Sequence, residues 1–307
     1  MKHHVKITLI LVIMFFTAQL IGLFVTSIYA PESVTFVDEE GIPQNVSTYN
    51  LPYGMDPPSG IEPTISIFSI MIALFIAVTL MLLLMKFNAA IFLRIWFLVV
   101  VIIGLAIALN ATLISFENSA LIALAIPIPL GLIKIFQRNI IVHNATELLI
   151  YPGIAAVFIP LLSIPTTVFL LILISFYDMY AVWHAGFMQK MAKYQIQKLK
   201  IFSGFFIPYL DKKQRLALKK AKKEKSMKNK KIKVNVAILG GGDVVFPILL
   251  AGTVLHTMGL IQALTISVGA TIALAGLFMM SQKGKFYPAM PFISAGCLIA
   301  LAIAYII

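Results

Sequence analysis

Apolar runs separated by short polar segments alternate along the whole chain. Most runs hold about 18–24 residues, the length that an α-helix needs to cross the hydrocarbon core of a bilayer. We therefore predict an all-α polytopic membrane protein with nine transmembrane helices. The predicted spans are approximately residues 7–29, 63–85, 89–109, 119–136, 141–162, 164–187, 234–257, 261–280 and 289–307.

Prolines interrupt two of the predicted spans. Pro127 and Pro129 predict a kink in the fourth span, and Pro152 with Gly153 predicts a break in the fifth.

The first apolar run could instead be a cleaved signal peptide, but the apolar region of a signal peptide is only about 7–15 residues long. We interpret this run as a retained first span.

Charged residues indicate the orientation of the spans. Segment 30–62 carries six of the 12 acidic residues and no Lys or Arg, whereas Lys86, Arg94, Lys134 and Arg138 flank two predicted inner turns. Because cytoplasmic loops are enriched in Lys and Arg, we expect a cytoplasmic N-terminus and an extracellular C-terminus. The expected location is the cell membrane, which the chain crosses several times.

The composition agrees with a membrane protein. Hydrophobic residues make up 60% and charged residues 12% of the 307 residues, against about 25% charged residues in soluble domains. Residues 187–233 hold 16 Lys or Arg and two acids, so their net charge of 16 − 2 = +14 exceeds the +12 of the whole chain. A single basic loop beside a membrane is typical of a cytoplasmic loop, so no nucleic-acid partner is expected. The loop is either a solvated run of charge or a segment that rests on anionic lipid head groups.

The basic loop divides the chain into three predicted regions. Residues 1–187 hold spans one to six with the acidic extracellular loop 30–62. Residues 188–233 form a flexible cytoplasmic loop, and residues 234–307 hold spans seven to nine. These boundaries follow the charge and the apolar runs alone.

Two of the predicted spans contain an aspartate: Asp178 in the sixth and Asp243 in the seventh. A charged side chain in hydrocarbon is costly, so an ionisable residue there indicates a functional site. Each aspartate is about ten residues from the cytoplasmic end of its span, or about 15 Å at about 1.5 Å per residue. Because these spans are antiparallel and consecutive, we expect the two carboxyl groups to meet at one depth.

Two close carboxyl groups cannot both ionise easily, so they share one proton. In aspartic proteolysis the ionised group takes a proton from water as the water attacks a peptide carbonyl. The protonated group donates to the carbonyl oxygen. The titration belongs to the pair, and neither aspartate is assigned as the proton carrier.

Glycines and prolines surround the two aspartates. Gly240, Gly241 and Gly242 precede Asp243, where they allow another backbone to approach closely, although small residues also serve ordinary helix packing. The segment Pro288-Ala289-Met290-Pro291 opens the ninth span, and its prolines disfavour helix. Extended backbone there could pair with an unwound substrate by strand addition; an ordinary helix start is the alternative.

With these motifs the chain resembles the GxGD intramembrane aspartyl proteases, the family of presenilin and signal peptide peptidase. Tyr177-Asp178 resembles the YD motif of the family, Gly240-Gly241-Gly242-Asp243 its GxGD motif, and Pro288-Ala289-Met290 its PAL motif with Met in place of Leu. The motifs occur in the family's order and on the family's spans. The small size and the short outer loop are most similar to archaeal presenilin homologues.

The resemblance implies an aspartic endopeptidase that hydrolyses peptide bonds within or near transmembrane segments of membrane proteins. Asp178 and Asp243 would be the catalytic pair. Tyr177, the three glycines and the segment from Pro288 to Pro291 would shape the site and hold the substrate. The expected partners are transmembrane-helix substrates and the bilayer, with no cofactor, no metal and no obligate subunit; homo-oligomerisation stays open. A cytoplasmic basic loop, as in presenilin, favours type I substrate segments.

Two other functions remain as alternatives. A proton- or ion-coupled transporter could use the same aspartate pair, because paired carboxylates and broken helices also serve ion coupling. Inverted repeats would support a transporter, but the sequences around Asp178 and Asp243 are unlike. A catalytically inactive scaffold is the other alternative.

Other ionisable residues carry less weight. The histidines are scattered and form no HExxH zinc motif. We interpret His143 and Glu147 as interfacial polar residues at a helix end and Cys297 as a small packing residue.

Overall fold

The structure is a computed structural model that describes residues 5–37, 43–56, 89–137, 139–185, 203–209, 235–281 and 287–307, with isolated positions between 69 and 87. Its helices are α1 (Val5–Ile28), α2 (Ala90–Leu113), α3 (Ser119–Ala125), α4 (Pro127–Leu132), α5 (Ile140–Phe158), α6 (Ile164–Tyr180), α7 (Gly241–Thr257), α8 (Leu260–Met280) and α9 (Met290–Ala304). Its strands are β1 (Glu32–Val37), β2 (Pro43–Thr48), β3 (Gly204–Tyr209) and β4 (Asn235–Gly240).

The protein is a multi-pass membrane protein made of apolar helices. Among the described residues, six helical segments are long and apolar enough to cross a bilayer: Val5–Ile28, Ala90–Leu113, Ser119–Gln137, Ile140–Leu161, Ile164–Trp183 and Leu260–Met280. The apolar helices α7 and α9 are shorter. Eight predicted spans thus correspond to described helices; the second, over 63–85, lies mostly outside the described residues.

Prolines act differently in the fourth and fifth spans. Helix α3 ends before Pro127, α4 follows, and a π-helical turn over Ile133–Gln137 completes the fourth span. The predicted break at Pro152 is wrong, because α5 runs through it to Phe158. The neighbouring Gly153 lies against the backbone of Gly104 in α2 with no room for a side chain. Close packing of α2 and α5 therefore holds the helix together despite the missing proline donor.

Helix α2 extends past the predicted span end near residue 109. Asn110 was predicted to start a loop, but it is buried in α2. Its amide nitrogen donates to the Tyr29 hydroxyl at 3.0 Å, and this hydroxyl donates to the Ile107 carbonyl oxygen at 2.9 Å. The amide nitrogen of Asn110 thus has a partner inside the bundle, whereas its side-chain oxygen is buried without one.

Helix α7 lies at the centre of the bundle, in contact with α1, α5, α6, α8 and α9. In addition to apolar packing, two polar contacts hold α7 in place. Gln19 of α1, fully buried, donates to the Val244 carbonyl oxygen at 3.1 Å. The hydroxyls of Thr167 on α6 and Thr253 on α7 are 3.4 Å apart. Val244, the residue next to Asp243, is thus held by a hydrogen bond from the first helix of the chain.

Two antiparallel hairpins interrupt the helical pattern. Strands β1 and β2 pair from Glu32↔Thr48 to Val37↔Pro43, inside the predicted acidic loop. Strands β3 and β4 pair from Gly204↔Gly240 to Tyr209↔Asn235 and join segments that are distant in sequence. Neither hairpin was predicted. The rest of the predicted flexible loop 188–233 lies outside the described residues.

Candidate active site

Asp178 lies near the end of α6, which stops at Tyr180 and continues as a π-helical turn over Ala181–Ala185. Its side chain is buried, with the residue 5% exposed. The Met290 N–H donates to Asp178 Oδ2 at 3.1 Å, and the Ala289 N–H also donates to this carboxyl group. These donors belong to the first turn of α9, whose N–H groups have no partner inside the helix. Asp178 therefore caps α9 from a different helix.

Asp243 is the third residue of α7, and α7 follows directly after β4. The Gly240 N–H donates to its carboxyl group, and this group interacts electrostatically with the carboxyl group of Asp178. A helix N-terminus with free N–H groups favours an acidic side chain at this position. The structure thus brings the two predicted aspartates together across α6 and α7.

The backbone before Asp243 differs from the sequence prediction. The seventh span was predicted to be helical from residue 234, which placed Asp243 about ten helical residues, or about 15 Å, inside it. Instead, residues 235–240 form β4 and the helix begins at Gly241. Asp243 is therefore in the first turn of α7, and the prediction that the seventh span is helical from residue 234 is wrong at 235–240.

The three glycines before Asp243 have different environments. Gly240 is extended, and its N–H reaches Asp243. Gly241 is buried, and a β-carbon there would lie 2.6 Å from the Tyr151 hydroxyl and 2.9 Å from Ser203 Oγ. Gly242 is exposed and has room for a β-carbon. Close packing therefore requires a glycine only at the middle position.

The segment from Pro288 to Pro291 contributes backbone donors to the site. Pro288 is buried, Ala289 has a helical backbone conformation, and α9 begins at Met290 with Pro291 in its first turn. The prediction of an extended backbone is therefore wrong at Ala289. Its N–H and that of Met290 bind Asp178, so neither is available to a substrate strand.

Neighbouring residues that sequence reasoning missed connect α6 to α9. Ser175 Oγ donates to Ser294 Oγ at 2.8 Å. Ser175 lies about one helical turn before Asp178, and Ser294 about one turn after Met290. The Met290 side chain packs with Leu170 and Ile174 of α6. Tyr177, predicted to shape the site, is 45% exposed beside Asp178. A serine on each helix near a motif is too common a pattern to be recognised from sequence alone.

A buried charged cluster lies beside β3. Lys134 in the π-helical turn pairs with Glu147 of α5, which is 1% exposed, and also donates to Thr146 Oγ1 at 3.3 Å. His143 Nδ1 lies 3.4 Å from Lys134 Nζ. The interpretation of Glu147 as an interfacial residue is therefore wrong, because it is buried and a cation on the preceding helical segment compensates its charge. His143 is partly buried in the first turns of α5.

Cys297 and His256 have structural surroundings. Cys297 is fully buried in the core of the bundle. His256 Nε2 lies 2.9 Å from the Thr26 carbonyl oxygen. Within the described part of the chain, no three His, Cys, Asp or Glu side chains are grouped as a metal ion would need.

Comparison with known proteins identifies a family and a fold for this chain. The family model described as "Signal-peptide peptidase, presenilin aspartyl protease" matches residues 50–307. Two solved structures of a presenilin family intramembrane aspartate protease are similar in fold. The C222 crystal form has a TM-score of 0.60 and 16% identity, covering 97% of this chain and 98% of the other. The P2 form has a TM-score of 0.59 and 15% identity, covering 96% of each chain. No curated protein gives a significant sequence match.

The family match covers most of the chain, and the fold similarity extends over nearly all of it. The family match includes the segments α6, α7 and α9 that contain or contact Asp178 and Asp243. The chain therefore belongs to the signal-peptide peptidase and presenilin family of intramembrane aspartyl proteases.

Proposed function

We propose that Asp178 and Asp243 are the catalytic pair with which this protease hydrolyses peptide bonds within or near transmembrane segments. One observation carries the proposal: α6 packs against α7 and α9, so that the buried Asp178, held by the start of α9, lies beside Asp243 at the start of α7. The two carboxyl groups are close enough to interact electrostatically. Two carboxyl groups in such proximity share a proton, which provides one acid and one base at the same place.

The shared proton allows a balanced hydrolysis. The ionised aspartate removes a proton from water, and the water oxygen bonds to the scissile carbonyl carbon. The protonated aspartate gives its proton to the carbonyl oxygen, which produces a neutral gem-diol. One hydroxyl then returns its proton to the pair as the carbonyl re-forms and the C–N bond breaks. The leaving nitrogen takes a proton from the pair, so the pair ends with one proton, as it began.

Backbone donors orient the two carboxyl groups in this proposal. Ala289 and Met290 hold Asp178, and Gly240 holds Asp243. These donors lie at two helix starts and cannot rotate as side chains do. The carboxyl groups are thus preorganised, so less reorganisation is needed during the reaction.

We assign substrate binding to the open edge of β4. A transmembrane helix must unwind before cleavage because its peptide carbonyls are hydrogen-bonded and sterically covered. Strand β3 occupies one edge of β4, and no described strand lies on the other. A substrate strand added there would run towards Asp243, since β4 leads directly into α7. This assignment replaces the predicted pairing with the segment from Pro288 to Pro291.

The proposed setting is the cell membrane, with the N-terminus and the basic loop in the cytoplasm and the C-terminus outside. The support is the distribution of Lys and Arg along the chain. In this orientation the protease would take type I transmembrane segments as substrates. We propose that one chain carries a complete site and needs no further subunit, because both aspartates and their donors lie on it.

The test uses purified protein with a tagged single-span substrate. Wild type should cut within the membrane segment, and Asp178→Asn and Asp243→Asn should each lower the rate by at least about 10³-fold, since each removes one partner of the acid–base pair. A hydroxyl-isostere transition-state analogue should inhibit cleavage. Cleavage that persists in both variants would contradict the catalytic assignment. Ion flux that both variants abolish, without any cleavage, would favour the transporter.

A further inference from the structure

We infer that His143, Asn144 and Glu147 of α5, named here the α5 clamp, replace a neighbouring strand on the outer edge of β3 and so position the β3–β4 hairpin. The inference deepens the proposed function and rests on it in one respect, namely that the hairpin binds the substrate. The three residues act as positioning residues, since they contact the hairpin and neither aspartate.

Asn144 forms the central contact of the α5 clamp. Its Nδ2 donates to the Phe206 carbonyl oxygen at 2.9 Å, and its Oδ1 accepts from the Phe206 N–H at 3.0 Å. A side-chain amide carries the same donor and acceptor as a peptide group. Asn144 therefore binds both backbone groups of Phe206, as one residue of a paired strand would.

His143 and Glu147 complete the same edge at Gly204. Glu147 Oε2 accepts from the Gly204 N–H at 3.2 Å, and His143 Nε2 lies 2.8 Å from the Gly204 carbonyl oxygen. A carbonyl can only accept, so His143 Nε2 carries the proton and Nδ1 accepts from Lys134 Nζ at 3.4 Å. The remaining oxygen of Glu147 pairs with Lys134. The charged cluster thus fixes two members of the clamp in place.

The alternation of backbone directions shows which edge is covered. In an antiparallel pair, successive residues direct their N–H and C=O groups to opposite edges. Gly204 and Phe206 face α5, so Phe205 and Ile207 face β4. Pro208, which has no N–H, falls on the α5 side, where no ladder donor is lost. The sequence of β3 therefore agrees with a strand covered on one edge by side chains.

The same register defines the open edge of β4. The partners of Phe205 and Ile207 are Leu239 and Ala237, so the backbone groups of Ile238 point away from β3. Those of Gly240 point the same way, and its N–H reaches Asp243. Because the α5 clamp covers the outer edge of β3, an added strand can pair only with β4, on the side of Asp243.

The experiment compares hydrogen exchange in the solubilised full chain for wild type, Asn144→Leu and Asn110→Leu. Leucine keeps the branch at the γ position of asparagine, although its side chain is larger, and it removes both hydrogen bonds to Phe206. Asn110 is the matched control. It is a buried asparagine of α2 whose side chain donates a hydrogen bond to the Tyr29 hydroxyl and not to β3. Amides of 203–209 should exchange at least about tenfold faster in Asn144→Leu and at the wild-type rate in Asn110→Leu.

A cleavage assay separates positioning from general loss of structure. Asn144→Leu should raise KM more than it lowers kcat and should spread the cleavage over neighbouring peptide bonds, whereas Asn110→Leu should retain the wild-type product. Asp178→Asn should abolish cleavage while leaving exchange over 203–209 unchanged. If Asn144→Leu does not fold, Asn144→Ala and Asn110→Ala give the same comparison.

The outcomes distinguish the two proposals. Unchanged exchange over 203–209 in the Asn144 variant, or an equal increase in the Asn110 control, would overturn the clamp. Faster exchange with an unaltered KM and product would overturn its role in substrate positioning. A wild-type protein that cleaves nothing would contradict the proposed function, while the exchange result would still decide whether α5 holds β3.

Discussion

At the scale of single residues, Gly241 shows how packing constrains the approach to Asp243. The Tyr151 hydroxyl that occupies the space next to it is buried, and the Tyr151 ring packs edge-on against Phe205 of β3 at 5.9 Å between ring centroids. A methyl group at position 241 would have to displace this side chain. The middle glycine therefore fixes the contact between the start of α7, α5 and the hairpin.

We expect Gly241→Ala to lower the free energy of unfolding by about 1–3 kcal/mol, the usual cost of inserting a methyl group into a packed interior. Gly242→Ala is the control, because the nearest atom to a β-carbon there is in the Phe246 ring at 3.7 Å. Thermal unfolding of the solubilised protein should show a lower midpoint for Gly241→Ala alone. Equal midpoints for the two variants would contradict the packing argument.

At the scale of elements, the Lys134–Glu147 pair joins the π-helical turn of the fourth span to α5. Burial of two charges is costly, and the pair persists because each charge compensates the other and both have further hydrogen-bond partners. Removal of one partner leaves an isolated charge. We therefore expect Lys134→Met to lower the free energy of unfolding by about 3–5 kcal/mol.

The double variant Lys134→Met with Glu147→Gln checks this cause. It leaves no unpaired charge and keeps an oxygen that can accept from the Gly204 N–H. Most of the lost stability should therefore return, as measured by thermal or denaturant unfolding. A double variant as unstable as Lys134→Met would show that the packing of the lysine, and not its charge, matters.

The open edge of β4 can be tested at a single peptide group. Ile238→Pro removes the N–H that points away from β3 and leaves the β3–β4 ladder intact, because proline is tolerated where its missing donor faces an unpaired edge. We expect KM for a transmembrane substrate to rise at least about tenfold, since the strand loses a main-chain hydrogen bond near the site. Ile238→Val, which keeps the N–H, should behave as wild type; an equal KM in both variants would exclude pairing at this position.

The elements also show what could be predicted from the sequence. Apolar runs located eight described helical segments, because the bilayer demands a minimum apolar length. The three motifs identified α6, α7 and the start of α9. Strand β4 was missed because Val236, Ala237 and Leu239 are as apolar as a helix start, and hydropathy records burial, not backbone conformation. The Lys134–Glu147 pair was missed because each charge resembled an ordinary marker of a helix end.

At the scale of the whole molecule, α7 connects the chemistry to the bundle. It contacts α1, α5, α6, α8 and α9, so the position of Asp243 depends on segments from both halves of the chain. Helices α8 and α9 pack closely at Gly269 and Gly296, whose backbones leave no room for side chains. This packing holds the start of α9, and with it the two N–H donors of Asp178, against the bundle.

The proposed membrane orientation gives a prediction that involves the entire protein. Helix α2, with 24 residues, is about 36 Å long at about 1.5 Å per residue and can cross a hydrocarbon core of about 30 Å. Lys86 precedes it and Glu117 follows it, and both are exposed. If α2 spans the bilayer with Lys86 inside, these two positions lie on opposite sides of the membrane.

The single native cysteine makes this orientation measurable. Cys297 is 0% exposed, so wild-type protein in intact cells should not react with a membrane-impermeant maleimide. Glu117→Cys should react in intact cells, and Lys86→Cys should react only after permeabilisation. The reverse pattern would place the basic loop outside and reverse the proposed preference for type I substrates. Reaction of both variants from the same side would show that α2 does not span the membrane, which would contradict the proposed topology.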